Sequence, residues 1–245
     1  MAKHPDETLM TTLKKTVFLP LNPAGYPFVV AGIIVTFFAF LLWNFLGFLC
    51  LGFTLFSLYF FRDPPRVTPQ DEDLVISPAD GRVCKIRRDV TLPIDIAPDG
   101  ERDALYTKVS IFLSALDVHV NRNPVSGTII KTAYKTGRYM NAAMDEASEQ
   151  NERALSLLKT ADGKLIGLAQ VAGFIARRIV TQHEEGSEVI AGEKFGLIRF
   201  GSRTDIYLPS GIEPLVCEDQ RCVGGETVLA VLSGPQKARS GKTNA

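Results

Sequence analysis

The sequence predicts a mostly β domain, of β-barrel or sandwich-hybrid type with one or two helices, behind an N-terminal transmembrane helical hairpin. Three observations predict it. Not one charged side chain stands between Lys15 and Arg62. Beyond Arg62 the apolar residues come in short runs rich in β-branched types, separated by Gly, Pro, Asp and Asn, which is the pattern of strands and turns. At 245 residues the chain has room for one sizeable domain and an appendage.

Residues 1–25 read as an N-terminal cytosolic segment and 26–61 as the membrane hairpin. Ten of the 15 Phe lie between Phe28 and Phe61. About 20 apolar residues cross the hydrocarbon core as a helix, so a run of this length is too long for one span and suits two short ones. Trp43, Asn44 and Gly47 near its middle suit a tight turn at the far interface. Lys14 and Lys15 precede the run and Arg62 and Arg66 follow it. The positive-inside rule then puts both ends in the cytoplasm, which implies an inner-membrane protein with its domain on the cytosolic face. A cleaved signal peptide would need a shorter apolar core and a small-residue cleavage site, whereas Phe61 runs straight into Arg62-Asp63-Pro64-Pro65-Arg66.

Residues 62–235 read as the β-rich domain and 236–245 as a basic tail, with Lys237, Arg239 and Lys242. Strands are expected at Val109 to Leu113, Ile129-Ile130, Ile179-Val180, Ile206 to Leu208 and Val228 to Leu232. Asp162-Gly163 between two apolar runs predicts a hairpin with a type I′ turn. Helical spacing of Met140, Met144 and Ala147 predicts one helix over 138–151. Pro78 to Lys85 and Pro124 to Lys131 share a pattern of Pro, short polar residue, Gly, β-branched residue and Lys, which reads as a turn feeding a strand, used twice. Glu184 to Gly192 looks like two tight turns around a short strand.

Composition excludes some functions. With 27 Lys+Arg against 27 Asp+Glu the chain lacks the positive field that a nucleic-acid binder needs. Cys50, Cys84, Cys217 and Cys222 make neither a disulfide framework nor a zinc knuckle, and no HExxH motif points to a metal. Of three His, His4 lies in the N-terminal segment, His183 reads as an exposed turn, and His119 stands at a strand end within Leu116-Asp117-Val118-His119-Val120-Asn121-Arg122-Asn123-Pro124. Ser77-Pro78-Ala79-Asp80-Gly81 puts a carboxylate in a turn. Gly201-Ser202 by itself is bland, and there is no GxSxG elbow, P-loop or GxGxxG.

Taken in order, Ser77 to Gly81, Asp117 to Pro124, Asn151-Glu152-Arg153 and Phe200-Gly201-Ser202-Arg203 resemble the phosphatidylserine decarboxylase family, in its short and compact branch, over residues 60–232. The resemblance implies self-cleavage between Gly201 and Ser202, giving a β chain of 1–201 and an α chain of 202–245 that stay associated without a covalent link. Ser202 would become a pyruvoyl group, the sole cofactor, without any metal. That carbonyl would form a Schiff base with phosphatidylserine and accept the electrons left as carbon dioxide departs, giving phosphatidylethanolamine. His119 is implied as proton donor and Asp80 as its partner in maturation. Asn121, Arg122, Asn151, Glu152, Arg153 and Phe200 are implied as pocket residues, and a homodimer is left open.

Longer members carry a second histidine where Arg122 stands, so either His119 serves both steps or Arg122 and Asp80 handle maturation with a water; an arginine is no base at neutral pH, which favours the first. Phe200 and Arg203 replace Leu and Thr of the longer members. Two other readings stand beside this one. One is a non-catalytic, membrane-tethered β-barrel carrier or adaptor, for which Lys194 is the only nearby lysine. The other keeps the chemistry but takes an ether-linked or otherwise modified phosphatidylserine.

Overall fold

The computed structural model describes residues 19–137, 150–173, 178–199 and 202–233. The chain divides into two compact units, 1–65 and 66–245.

In the first unit a single 3-10 turn, Pro23–Gly25, is capped by Asn22, whose side chain accepts from the Ala24 N–H at 3.1 Å. It leads into helix α1 (Tyr26–Leu42), with a proline in the first turn where no backbone donor is missed. Helix α2 (Asn44–Phe60) follows after one residue, Trp43, whose backbone is extended. The helices pack on each other. The Thr36 and Thr54 hydroxyls hydrogen bond at 3.1 Å, and the Phe40 ring lies so close to Gly47 that a Cβ there would be 2.3 Å away. Gly47 therefore belongs to α2 and admits a ring instead of making a turn; the break expected over Trp43, Asn44 and Gly47 is Trp43 alone. Pro23–Leu42 is long and apolar enough to cross a membrane, while Asn44–Phe60 is a shorter apolar helix. Phe37, Phe38, Leu42, Phe45, Phe48 and Phe53 are all exposed.

The second unit is built of antiparallel strands: β1 (Leu74–Ile76), β2 (Gly81–Thr91), β3 (Leu105–Leu113), β4 (Val120–Arg122), β5 (Gly127–Lys135), β6 (Arg153–Lys159), β7 (Leu165–Ala172), β8 (Ile179–Thr181), β9 (Glu188–Val189), β10 (Lys194–Ile198), β11 (Ser202–Pro209), β12 (Arg221–Cys222) and β13 (Val228–Val231). Eight of them form one sheet in the order β12-β2-β3-β11-β7-β6-β5-β9. A small sheet, β4-β10-β8, and the pair β1-β13 complete the set among the described residues. Alternation along β11 feeds two cores: Ile206 and Leu208 pack with Ile111, Leu113 and Leu168, whereas Tyr207 packs with Tyr106, Leu155 and Val171.

The mostly β domain and its expected strands are found, and the short strand between two turns is β9. The repeat is structural. Ile76 N–H donates to Pro124 O at 2.8 Å while Arg122 N–H donates to Pro78 O at 2.9 Å, so each copy bonds the other at the same offset. Gly81 and Gly127 start their strands at φ 155° and 154°, and a Cβ at either would be 2.2 Å from a carbonyl oxygen of the neighbouring strand. Only glycine fits there.

The Asp162-Gly163 connection does join β6 to β7, but Gly163 alone has positive φ, at 87°. The loop spans Thr160 to Lys164, with Gly163 N–H bonded to Thr160 O at 2.9 Å. Three loop residues ending in left-handed glycine place the positive φ once, where the two-residue type I′ turn needs it twice. The helix expected over 138–151 falls almost wholly outside the described residues.

Candidate active site

Ser202 opens β11 between Leu113, at the end of β3, and Ala172, at the end of β7. Its exposure is 0%, and its hydroxyl has no hydrogen-bond partner among the described residues. Leaving a buried hydroxyl unpaired costs about 1–3 kcal/mol, so the fold keeps this atom at a cost. Gly201 and Phe200 lie outside the described residues.

The segment leaving β3 supplies His119. Ser114 donates from its N–H and its hydroxyl to Asp117 Oδ2, each at 2.8 Å, and Arg221 reaches Asp117 Oδ1. Burial disfavours the Asp117 carboxylate, but these hydrogen bonds from Ser114 and Arg221 outweigh it and hold the pKa below the usual carboxylate range. Closing this loop brings His119, buried at 0% exposure, to the start of β4, where its carbonyl accepts from Ile198 N–H at 3.3 Å. His119 Nδ1 lies 2.9 Å from the Asp117 carbonyl oxygen. A carbonyl can only accept, so Nδ1 carries the proton and the lone pair of the neutral ring is on Nε2.

Strand alternation sets what lies beside it. His119 and Asn123, which flank β4, alternate with Val120 and Arg122 as Asn121 does, and all three are buried, while Arg122 donates to the Gly192 carbonyl at 2.9 Å. Asn121 Nδ2 lies 3.5 Å from Thr204 Oγ1 and Asn121 Oδ1 accepts from Gln170 Nε2 at 2.7 Å. Thr204 is two residues from Ser202 on the same face of β11. Asn121 meets Thr204, and Ile198, bonded to His119, is four residues before Ser202; the two run together toward the same end of the sheet. His119 and Ser202 are therefore brought to one locality.

The other candidate residues divide. Asn151 Nδ2 donates to the Ala172 carbonyl at 2.8 Å, and the Glu152 carbonyl accepts from Ala172 N–H at 2.9 Å, so both secure the strand end beside Ser202. Glu152 also accepts from the Tyr134 hydroxyl. Arg153 stands opposite Val171 and Lys135 in register. Asp80 is elsewhere in its bonding: Gly224 N–H donates to one carboxylate oxygen at 2.8 Å and Arg66 to the other at 2.7 Å. Burial raises its pKa against Arg66 and the Gly224 hydrogen bond. It makes no hydrogen bond to His119.

His183 is not the exposed residue its polar neighbours suggested. It is 8% exposed, stacked on Phe195 with ring centroids 4.0 Å apart, and its nitrogens meet Ser156 Oγ at 2.8 Å and Asn123 Oδ1 at 2.7 Å. These partners come from remote segments, so local polarity misled. Burial pushes its pKa down to about 4. Cys222 is buried too, and burial pushes its thiol up to about 12, which makes it inert. Gln170 gave no local signal because it lies in an otherwise apolar strand, and Thr204 gave none because it stands between the charged Arg203 and Asp205. The alternation of His119, Asn121 and Asn123 with Val118, Val120 and Arg122 was the signal that could have exposed this face. Among the described residues no cluster of His, Cys, Asp and Glu fit to hold a metal ion occurs.

A buried serine at a strand start whose hydroxyl has no partner among the described residues, a buried histidine of defined tautomer near it and two apolar helices upstream define an enzyme-like β domain attached to an apolar segment. The family model for phosphatidylserine decarboxylase matches residues 53–230. Relatives named phosphatidylserine decarboxylase proenzyme include those of Granulibacter bethesdensis, 47% identical over 219 residues (89% of this chain, 88% of the relative), and Ruegeria pomeroyi, 45% identical over 220 residues (90% and 99%). That of Gluconobacter oxydans is 49% identical over 225 residues (89% and 97%). The chain belongs to the phosphatidylserine decarboxylase family of enzymes. That membership sets aside the carrier reading, and Lys194 in fact opens β10 instead of standing at a hairpin tip.

Proposed function

We propose that this chain is a zymogen that splits itself between Gly201 and Ser202 and then decarboxylates phosphatidylserine to phosphatidylethanolamine. The observation that carries the reading is the Ser202 hydroxyl, fully buried and without a partner among the described residues. Together with the proenzyme names of the relatives, it supports a serine kept for chemistry instead of for structure.

In maturation the Ser202 Oγ attacks the Gly201 carbonyl carbon while His119 Nε2 takes the hydroxyl proton, and the peptide bond becomes an ester. Loss of the Ser202 α-proton expels the ester carboxylate, which becomes the new terminus at Gly201. Residue 202 is left as dehydroalanine, and water converts it to a pyruvoyl group with release of ammonia. A residue that is buried, flanked by two strands and whose hydroxyl has no partner among the described residues fits that group. Its carbonyl supplies an electron sink for the carboxylate carbon–carbon bond.

The protein's own part is to position and to move protons. His119, its Nδ1 proton committed to the Asp117 carbonyl, offers Nε2 to take a proton in maturation and, once protonated, to return one to the α-carbon in turnover. Asn151 holds the end of β7 next to Ser202. Asp80 acts at one remove: with Gly224 and Arg66 it fixes the turn whose Pro78 carbonyl receives the Arg122 N–H. The expectation that one histidine serves both steps is supported by Arg122 facing away from His119.

The helices α1 and α2 serve as a hairpin anchor in the cytoplasmic membrane, with the β domain on the cytosolic side. A diacyl lipid leaves a bilayer only at about 0.8 kcal/mol per methylene, so an enzyme acting on its headgroup must work at the surface. Full-length protein supplied with vesicles of phosphatidylserine should release carbon dioxide and accumulate phosphatidylethanolamine, with Ser202→Ala inactive. Split protein that turns over only ether-linked or headgroup-modified phosphatidylserine would reassign the substrate. Turnover by Ser202→Ala would overturn the mechanism.

A further inference from the structure

Gln170 is a glutamine inside an otherwise apolar strand, Leu165–Ala172, and only 1% exposed. Burying a carboxamide costs free energy unless it is hydrogen-bonded, so its presence requires a reason. Its Nε2 donates to Asn121 Oδ1 at 2.7 Å. That single bond decides which way the Asn121 carboxamide faces. With Oδ1 turned to Gln170, Nδ2 faces Thr204 Oγ1 and the Pro78 carbonyl, 3.5 Å from each. Pro78 O can only accept, so the opposite orientation of Asn121 would set two acceptors against each other.

The room for this arrangement is also built in. Gly196 of β10 passes so near that a Cβ there would be 3.0 Å from Gln170 Nε2 and 2.3 Å from the Val180 carbonyl oxygen. Asn121 thus joins three things: β4, which begins just after His119; β11, which begins at Ser202; and the Pro78 turn. Gln170 stands opposite Thr204 in register, one diagonal step from Ser202. Its Oε1 is buried and has no hydrogen-bond partner among the described residues.

We infer that Gln170 is a positioning residue for self-cleavage, acting through Asn121 to hold β4, and with it His119 just before it, against β11, which Ser202 opens. The inference rests on the proposed roles of His119 and Ser202. It assigns Gln170 no contact with substrate. A displacement of about 1 Å between reacting groups costs about a hundredfold in rate, and a side chain that shifts β4 against β11 has that leverage.

The test uses full-length chain made by cell-free synthesis into lipid nanodiscs, so that splitting is timed from uncut protein by mass spectrometry. Gln170→Met keeps the volume and loses the donor; it should slow splitting about a hundredfold. Gln170→Glu is the sharper variant. Its carboxylate cannot donate to Asn121 Oδ1, so splitting should be slow at pH 8.5. Burial raises a carboxyl pKa, so toward pH 6 the protonated acid regains a donor and the rate relative to unsubstituted protein should recover at least tenfold. Among the described residues the other titratable groups on this face are His119, His183 and Cys222, which both proteins share and which therefore cancel in the ratio; Arg203 and Asp205 of β11 point to the opposite face. Splitting of Gln170→Met at the unsubstituted rate would overturn the inference. So would Gln170→Glu remaining equally slow at every pH, because a mere packing role gives no such recovery. Splitting in Ser202→Ala would instead overturn the underlying assignment of the cleavage site.

Discussion

The two faces of β11 bury polar groups to opposite ends. On one face Ser202 and Thr204 look toward β4, and the Ser202 hydroxyl has no partner among the described residues. On the other, Arg203 and Asp205 form an ion pair at 2.9 Å, their side chains 2% and 0% exposed. Both pairs of residues are equally hidden from water. What differs is pairing: an Arg and an Asp two residues apart on one strand face neutralise each other, while a lone hydroxyl keeps its lone pairs. Burial alone therefore does not mark a reactive group. What sets Ser202 apart is burial without a partner among the described residues.

The comparison breaks most completely at Ser202. Ser202→Ala should leave one uncut chain and no decarboxylation, read by denaturing gel and by product assay, with the thermal midpoint unchanged or raised because an unsatisfied hydroxyl has gone. His119→Ala should slow splitting by about 10²–10⁴-fold, the usual contribution of a positioned base; splitting at the normal rate would move the base elsewhere.

The opposite face should respond in stability and not in chemistry. Asp205→Asn leaves Arg203 buried beside a neutral amide, at a cost of about 3–5 kcal/mol. Denaturant melting of split protein should show that loss. Replacing both residues by apolar ones of similar size should recover most of it. If Asp205→Asn were as stable as the parent, the ion pair would not stabilise the fold as described.

A smaller effect sharpens the contrast along the inner face. His183 has both nitrogens occupied, and burial lowers its pKa to about 4. Between that value and the ordinary value of 6.5 the unfolded chain holds the proton and the folded one does not. Stability should thus be full above about pH 6.5 and fall as pH drops toward 4, by on the order of 3 kcal/mol. His183→Phe should flatten that part of the curve. A parent whose stability is level from pH 7 to pH 4.5 would contradict the buried neutral imidazole.

Much of the fold was legible in the sequence because its signals are local. The β-branched runs became β3, β5, β8, β11 and β13, and the two Pro-to-Gly turns became a real structural repeat because glycine alone tolerates the carbonyl contact at Gly81 and Gly127. The turn between β6 and β7 was read with the wrong type, since Asp162-Gly163 signals a turn without counting the loop residues around it. The site was legible only in part. Ser202 and His119 came from the order of motifs, but the partners of Asp80, Gly224 and Arg66, and those of His183, Ser156 and Asn123, are distant in sequence. No window of neighbouring residues contains them. Gln170 was silent for the same reason, a polar residue whose meaning depends on a strand from another sheet.

The central claim is that the buried Ser202 hydroxyl, without a partner among the described residues, serves to cut the chain in front of it. Intact mass of the purified protein under denaturing conditions tests it most directly. The account predicts two chains, 1–201 and 202–245, the smaller one lighter than a serine-started fragment by the mass of one ammonia. A single uncut chain in protein that decarboxylates phosphatidylserine, or a smaller chain that still begins with serine, would contradict it.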